Sequence, residues 1–469
     1  MSLSRLRARW RGSTASRASI TMVDQCVASA SNFAVGVVVA RISGPAGLGA
    51  FALAYTCWIL LTTMHRSLIT DPMAILGDMR GEQRDEFVRR GFAADVTLGL
   101  TAACFFAVLG TVLLLVGEPT FGTGMLAVAP WIVVLDLQDY WRWIGFMQGT
   151  PKKSLHNDLL FNTVQALAFA VVLLTGQHSV FAVVSAWGLG AAAAALYGLR
   201  QFSVRPSIHG GLAFLRSRWA TSRWLASERA ASWGATQLYL IVAGALLGPA
   251  AFGGLKAAQG LVIGPTIVVI NAGGSFGLPE ASRQLDERGW KGMAKVARFV
   301  TGAGVVAATV CGIAVLVAAP ALLRLLYGPQ FVTYAASARI FAIAMVVSAF
   351  AVGPILTLTT TRRVRPLFVV QLAKLVVSVA AVCVLTAAYG VTGAAAASLL
   401  TSALALVAVL GVQSAVRRSI EETERPSPGY LLAAAGRRLV KNAEYLLLLS
   451  PARDTTDRPT TSSTPEQHR

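Results

Sequence analysis

Twelve continuous apolar runs fill most of this 469-residue chain, at 20–40, 48–69, 92–116, 125–147, 159–174, 180–199, 231–247, 252–276, 300–319, 336–358, 367–388 and 393–412. A helix of about 20 residues matches the hydrocarbon thickness of a bilayer. Backbone inside hydrocarbon must satisfy its own hydrogen bonds, which restricts such runs to helices or closed barrels. The runs are unbroken rather than alternating, which argues against a barrel. At 55% hydrophobic and 13% charged residues, the chain has too little polar surface for a soluble protein of its size. The predicted class is an all-α polytopic membrane protein of about 12 transmembrane helices.

The chain is also duplicated. Residues 44–54 read GPAGLGAFALA and residues 248–258 read GPAAFGGLKAA, each joining the first two runs of its half. Gly117 after the third run corresponds to Gly328 after the ninth. Six runs per half make the halves parallel repeats, related by an axis along the membrane normal. Two six-helix lobes around a central cavity are therefore expected.

The basic residues orient the chain. Of 41 Lys and Arg, 34 fall in the two termini, the central linker and the loops of one side, and the opposite loops hold only Arg41 and Arg324. By the positive-inside rule both termini are expected in the cytoplasm, in the cytoplasmic membrane of a bacterium. The net charge of +19 then reflects topology, and no nucleic-acid partner is expected. The expected organisation is a basic N-terminus at 1–19, a retained anchor rather than a cleaved signal peptide, then an N-lobe at 20–199. A basic linker at 200–230 leads to a C-lobe at 231–413 and a cytoplasmic tail at 414–469, with an interfacial helix at 430–449. The five cysteines all lie within apolar runs without metal-ligand spacing, so no metal or other cofactor is expected.

Ionisable groups deep in a bilayer are expensive and mark candidate sites. Asp136, Asp139 and Arg142 share one face of the fourth run, three residues apart. An Asp–Arg pair at i, i+3 would neutralise itself and leave one carboxylate for ion or proton coupling, with a structural polar cluster as the alternative. Arg66, Lys256, Arg339 and Lys374 are candidates, with Arg142, for a basic cavity suited to an anionic head group. For Arg66 and Lys256, snorkelling to the interface is the competing reading. Asp24, Asp95 and Asp158 are placed at helix ends, as capping or interfacial groups. His65 is the one histidine beside a candidate site. Nucleophile elbows, HExxH and phosphate-binding Gly-Lys-Ser/Thr loops are all missing, so no catalytic residues are assigned.

The segment NFAVGVVVARISGPAGLGAFALAY, with Arg41 ahead of its Gly-Pro turn, resembles the first hairpin of a known family. RWIGFMQGTPKKSLHNDLL resembles that family's turn between helices four and five. LKAAQGLVIGP and LLRLLYGPQF resemble its eighth-helix start and its ninth-to-tenth turn. The family is the polysaccharide-exporter and O-antigen flippase branch of the multidrug/oligosaccharidyl-lipid/polysaccharide flippase superfamily, and the likeness covers residues 15–415. It implies two lobes around a cavity open alternately to each side. It further implies transport of a polyprenyl-pyrophosphate-linked glycan between leaflets, often coupled to a cation gradient.

The implied partners are this anionic lipid-linked glycan, the membrane lipids, and a glycan polymerase and glycosyltransferases. A drug/cation antiporter of the same superfamily is the nearest alternative, and the excess of deep basic residues argues against cationic cargo. A membrane glycan ligase or glycosyltransferase would need a substantial external loop, which this sequence lacks. A non-transporting scaffold would not need the deep charges.

Overall fold

A computed structural model describes residues 3–71, 82–177, 179–202, 209–361 and 364–424. The Asp24 side chain, residues 203–208 of the linker and the expected tail helix at 430–449 lie outside the described residues. The chain divides into two units, Met1–Gln413 and Ser414–Arg469; of the second, residues 414–424 are described and are helical.

The first half contains α1 (Leu3–His65), running into a π-helical stretch at Arg66–Thr70, then α2 (Glu82–Leu115), α3 (Pro119–Val128) and α4 (Ile132–Met147). A 3-10 turn at Ala129–Trp131 joins α3 to α4, and α5 (Pro151–Leu174) and α6 (Val180–Gln201) complete this half. The second half contains α7 (Gly211–Leu247), α8 (Pro249–Leu326) and a 3-10 turn at Pro329–Tyr334. It ends with α9 (Ala335–Ala349), α10 (Val352–Thr360) and α11 (Val364–Glu424).

Three of these helices are too long to be single spans. The apolar stretch Cys26–Thr70 has 45 residues, about 68 Å if straight at ~1.5 Å per residue, twice the hydrocarbon core. It breaks at Gly44, with φ 66 and ψ −170. The same device divides α8 at Gly289 and α11 at Gly390. Among the described residues nine segments are long and apolar enough to cross a membrane, three of them containing such a break. With the breaks counted, and the apolar start of α8 joined to the part of its segment before Gly289, the helices agree with about twelve spans. Several run beyond the apolar runs: α2 begins at Glu82, ten residues before the run at 92–116.

Gly44 and Gly248 occupy matching places in the two repeats. Each lies in the left-handed region, at φ 66 and φ 88, where a side chain is strained, and each is followed by a proline that starts the next helix. Call their side of the bundle the Gly-Pro end and the opposite side the basic end. All six connections at the Gly-Pro end turn on a positive-φ glycine, at 44, 117, 176, 248, 328 and 390.

The repeats also pack on each other. A Cβ on Gly49 would lie 2.0 Å from the Pro249 carbonyl oxygen, and one on Gly253 would lie 2.0 Å from that of Pro45. Gly49 and Gly253 are equivalent positions, so the first repeat meets the second in a pseudo-twofold seam. Beside it, Arg41 donates to the backbone carbonyls of Leu325 and Leu326, 2.8 Å for the latter, at the C-terminus of α8. Tyr334 donates to the Ala250 carbonyl at 3.0 Å.

A continuous apolar core runs through both halves and includes Phe106, Met125, Phe252 and Phe331. Two buried aromatic tips of α4 find partners: Tyr140 donates to the Val88 carbonyl at 2.6 Å and Trp141 to that of Ala195 at 3.1 Å, fixing α4 against α2 and α6. Leu174 is 88% and Leu115 81% exposed, an arrangement suited to lipid rather than water.

Candidate functional site

The deep charges of the first half meet around α4, in pairs that join different helical segments. Arg66, held in the π-helical stretch, grips Asp139 with two donors, Nε to Oδ2 at 2.7 Å and a second guanidinium nitrogen to Oδ1. Its guanidinium lies 5.0 Å from the centroid of a Trp143 ring. Arg142 turns away from Asp139 and pairs with Asp158 on α5 at 3.0 Å, and Gln138 donates to the other Asp158 oxygen at 2.8 Å. The expected Asp139–Arg142 pair within α4 is therefore replaced by two pairs across helix boundaries. A short Asp reaches along its own helix poorly, whereas a neighbouring helix presents the guanidinium fork face-on.

Asp136 is left facing α1 and α2. Its Oδ1 accepts from Trp58 Nε1 at 3.0 Å and lies 3.2 Å from the Thr62 hydroxyl. Its Oδ2 lies 3.1 Å from His65 Nδ1, and Asp95 Oδ1 lies 3.6 Å from the same nitrogen. His65, Asp95 and Asp136 are 6%, 3% and 2% exposed. Asp95 and Asp158, expected at helix ends, are buried network members. The reason for Asp95 is the early start of α2, which places that residue well inside the helix.

Two cavities adjoin this network, and a further one lies in the second half. The largest, about 390 Å³, lies between the halves and is lined by Asn32, Tyr55, Arg142, Lys256, Gln259 and Tyr327, among others. Among the described lining residues two are cations, Arg142 and Lys256, and none is a carboxylate. Lys256 Nζ donates to Gln237 Oε1 at 2.9 Å, and among the described residues no carboxylate stands within ion-pair distance of it. A second cavity, about 160 Å³, lies in the second half and is lined by Lys374, Gln237, Tyr239, Gln259, Ser398 and Ser402. A third, about 100 Å³, is lined by Trp58, Arg66, Asp139, Arg142, Asp158 and Trp187. Arg142 thus borders the first and third cavities, and Gln259 the first and second.

Of the expected site residues, Arg142 and Lys256 meet at one cavity, Arg66 and Asp139 pair beside it, and Lys374 lines its own space in the second half. Asp136 lies behind Trp58. Arg339 stands apart: it is exposed, donates to the Leu316 carbonyl at 3.0 Å, and lines none of the three cavities. Its flexible stem carries the charge along the neighbouring helix instead of into the cavity. The roles of Asp95, Trp58, Gln237 and Gln259 were not visible in the sequence. Only Asp95 had a usable signal: the stretch from Glu82 to Arg90 contains no helix breaker, which favours an early start for α2.

No family model matches the sequence, and none of the curated proteins matches it. Solved structures do match the fold. An inward-facing multidrug resistance MATE family transporter of the MOP superfamily is 12% identical, with 84% of this chain and 95% of that one covered and a TM-score of 0.67. The lipid II flippase MurJ in an inward closed conformation is 11% identical, with 93% of each chain covered and a TM-score of 0.64. A MOP superfamily transporter from Pyrococcus furiosus, described as having a binding pocket of reverse polarity, is 13% identical over 86% of this chain and 95% of that one, with a TM-score of 0.62. This chain has the fold of those MOP superfamily transporters.

Proposed function

We propose that this multi-pass membrane protein carries an anionic, polyprenyl-pyrophosphate-linked glycan between the leaflets of the cytoplasmic membrane, by alternating access at the cavity between its halves. The observation that carries the reading is the lining of that cavity, with Arg142 and Lys256 but no carboxylate among its described residues. Cations in a space of low dielectric attract a diphosphate strongly, and its size suits a head group while the lipid tail stays in the bilayer. The sealed Gly-Pro end supports an inward-open resting state, with the basic end and both termini in the cytoplasm. The first-hairpin and helix-turn motifs support the O-antigen flippase branch, in which a glycan polymerase and glycosyltransferases would be partners. On this reading the protein is a transporter and not an enzyme, and it is coupled to a cation through the carboxylates of α4, Asp136 and Asp139. Arg66 holds Asp139 in place, and Lys374 serves as a secondary anion contact in the second half.

The test is binding and flipping of a polyprenyl-diphosphate oligosaccharide by the full chain in proteoliposomes. Arg142→Gln and Lys256→Gln should each weaken binding by about tenfold, equivalent to ~1.4 kcal/mol. Unchanged binding in both variants would remove this assignment.

A cation or drug antiporter is the second reading, favoured by the MATE likeness and by Trp58, Trp187, Asp139 and Asp158 around the 100 Å³ cavity. There the carboxylates face arginines, which leaves little charge for a cationic cargo. Resistance to cationic dyes conferred on a sensitised strain, and lost in Asp158→Asn, would decide for it.

A further inference from the structure

The geometry points to His65, Asp95 and Asp136 as one proton-binding site, separate from the substrate cavity, whose loading and unloading sets the balance between the transporter's conformations. This rests on the transporter reading above and names both the coupling ion and its seat.

Two carboxylates and one imidazole converge from α1, α2 and α4, each nine-tenths or more buried. No Lys or Arg ion pair reaches either carboxylate among the described residues, and Arg66, next to His65 in the chain, is held by Asp139. With neutral imidazole the cluster would bury two negative charges. With a proton on His65 it buries one, and with a second proton on a carboxylate none. Unpaired buried charge is strongly disfavoured, so the site gains protons from its surroundings.

The cluster also has unmet hydrogen bonding. Oδ2 of Asp95, Oδ2 of Asp136 and Nδ1 of His65 are all buried without a hydrogen-bond partner, although Nδ1 and the Asp136 oxygen are only 3.1 Å apart. Two acceptors around one nitrogen are the partners a proton on Nδ1 would serve. The residues form no metal-binding group among those described. The other ionisable groups facing the cluster are Tyr140, whose hydroxyl donates to the Val88 carbonyl, and the closed Arg66–Asp139 pair.

Two aromatic side chains connect the cluster to the cavity. Trp58 donates to Asp136 and lines the 100 Å³ cavity. Its ring packs on Tyr55, centroid to centroid at 5.6 Å, and Tyr55 lines the main cavity. The Thr62 hydroxyl lies between Asp136 Oδ1 at 3.2 Å and the Trp58 carbonyl at 3.0 Å, so its single proton serves one or the other. A proton arriving on Asp136 weakens its hold on Trp58, and the change passes through Tyr55 to the substrate space. Conversely, movement of Tyr55 exposes the cluster to the aqueous side from which the proton came or to which it goes.

The test uses the full chain in nanodiscs without substrate. Spin labels go on Thr175→Cys and Tyr389→Cys, exposed positions in different halves at the Gly-Pro end, with the five native cysteines replaced by serine. Double electron–electron resonance distances are read from pH 5 to pH 8 in sodium-free buffer. The ratio of short to long distances should change with pH by up to about tenfold per unit for one coupled proton. Asp136→Asn, Asp95→Asn and His65→Gln should each flatten that dependence, and Asp286→Asn, at an exposed carboxylate of α8, should not. A pH response preserved in the three variants overturns the proposal, as does a wild-type ratio indifferent to pH. A ratio that follows added sodium at fixed pH overturns the proton assignment. Because no substrate is present, these outcomes stand apart from the polyprenyl-diphosphate assay, whose failure would leave the proton site intact.

Discussion

The first half of this protein holds its deep charges against other charges, and the second half holds them against neutral amides and hydroxyls. Arg66 meets Asp139, Arg142 meets Asp158, and His65 meets two carboxylates. Lys256 meets Gln237, and Lys374 shares its cavity with glutamines, serines and tyrosine. The backbones nevertheless repeat, down to the Gly44 and Gly248 turns and the reciprocal contacts of Gly49 and Gly253. Duplication has preserved the scaffold and let the charge diverge. Paired charges organise a fixed lobe, whereas a cation without a carboxylate opposite keeps its full attraction for an incoming anion. Arg142, on the boundary, divides its charge between Asp158 and the cavity.

Removing a paired carboxylate should have the largest effect. Asp158→Asn takes away the charge opposite Arg142 within a buried pair, a loss of about 3 kcal/mol in thermal or denaturant stability. The matching loss in the second half, Gln237→Ala beside Lys256, removes one hydrogen bond and should cost about 1 kcal/mol. Detergent-solubilised melting curves for both variants decide it, and equal losses would erase the contrast between halves.

Next in size is the seam, where the halves meet through equivalent glycines. Gly253→Ala places a methyl group against the Pro45 carbonyl and Gly49→Ala places one against that of Pro249. Overpacking of this kind should disfavour the sealed Gly-Pro end by about 2 kcal/mol, roughly thirtyfold in the ratio of closed to open forms. Gly36→Ala, with nothing within 4 Å, should leave the ratio unchanged. Distances between labels at positions 175 and 389 report the ratio. Unequal effects at Gly49 and Gly253 would show that the seam is less symmetric than its geometry.

Spans, repeat and charge asymmetry were legible because each is local: run length, an eleven-residue echo and the placement of Lys and Arg. The charge partners were not. Pairs such as Arg66–Asp139 and His65–Asp136 join residues about 70 positions apart, and spacing along one helix says nothing of which neighbour it faces. Asp95 was misplaced for a different reason. Hydropathy marks where a helix enters hydrocarbon and not where it begins, so the charged turns from Glu82 looked like loop. Those turns set Asp95 about 20 Å along α2, at ~1.5 Å per residue. Arg339 shows the opposite limit, a deep position in the sequence whose side chain is long enough to leave it.

Lys256→Gln separates stability from binding. A buried cation without a carboxylate contributes little to holding the fold, so the melting temperature should hold or rise, with a change under about 0.5 kcal/mol. Affinity for the diphosphate probe should still fall by about tenfold. Arg142→Gln should lower both, because it also breaks the pair with Asp158. A Lys256 variant that melts early would mean that the second half also relies on its deep charge.

The smallest effect should come from Arg41, where the seam itself is uneven. Its guanidinium closes over the last carbonyls of α8, from the first half onto the second, and complements the negative end of that helix. The equivalent position of the other repeat is Ala245, so no reciprocal clamp exists. Arg41→Gln should disfavour the sealed form by about 1 kcal/mol, roughly fivefold, and the wild-type ratio should drift the same way as salt is raised. Arg41→Lys should restore only part of the effect, since an ammonium lacks the planar fork that reaches several carbonyls at once. Full recovery by lysine would reduce Arg41 to a point charge. Indifference to both substitutions would leave the glycine contacts alone to hold the two halves closed.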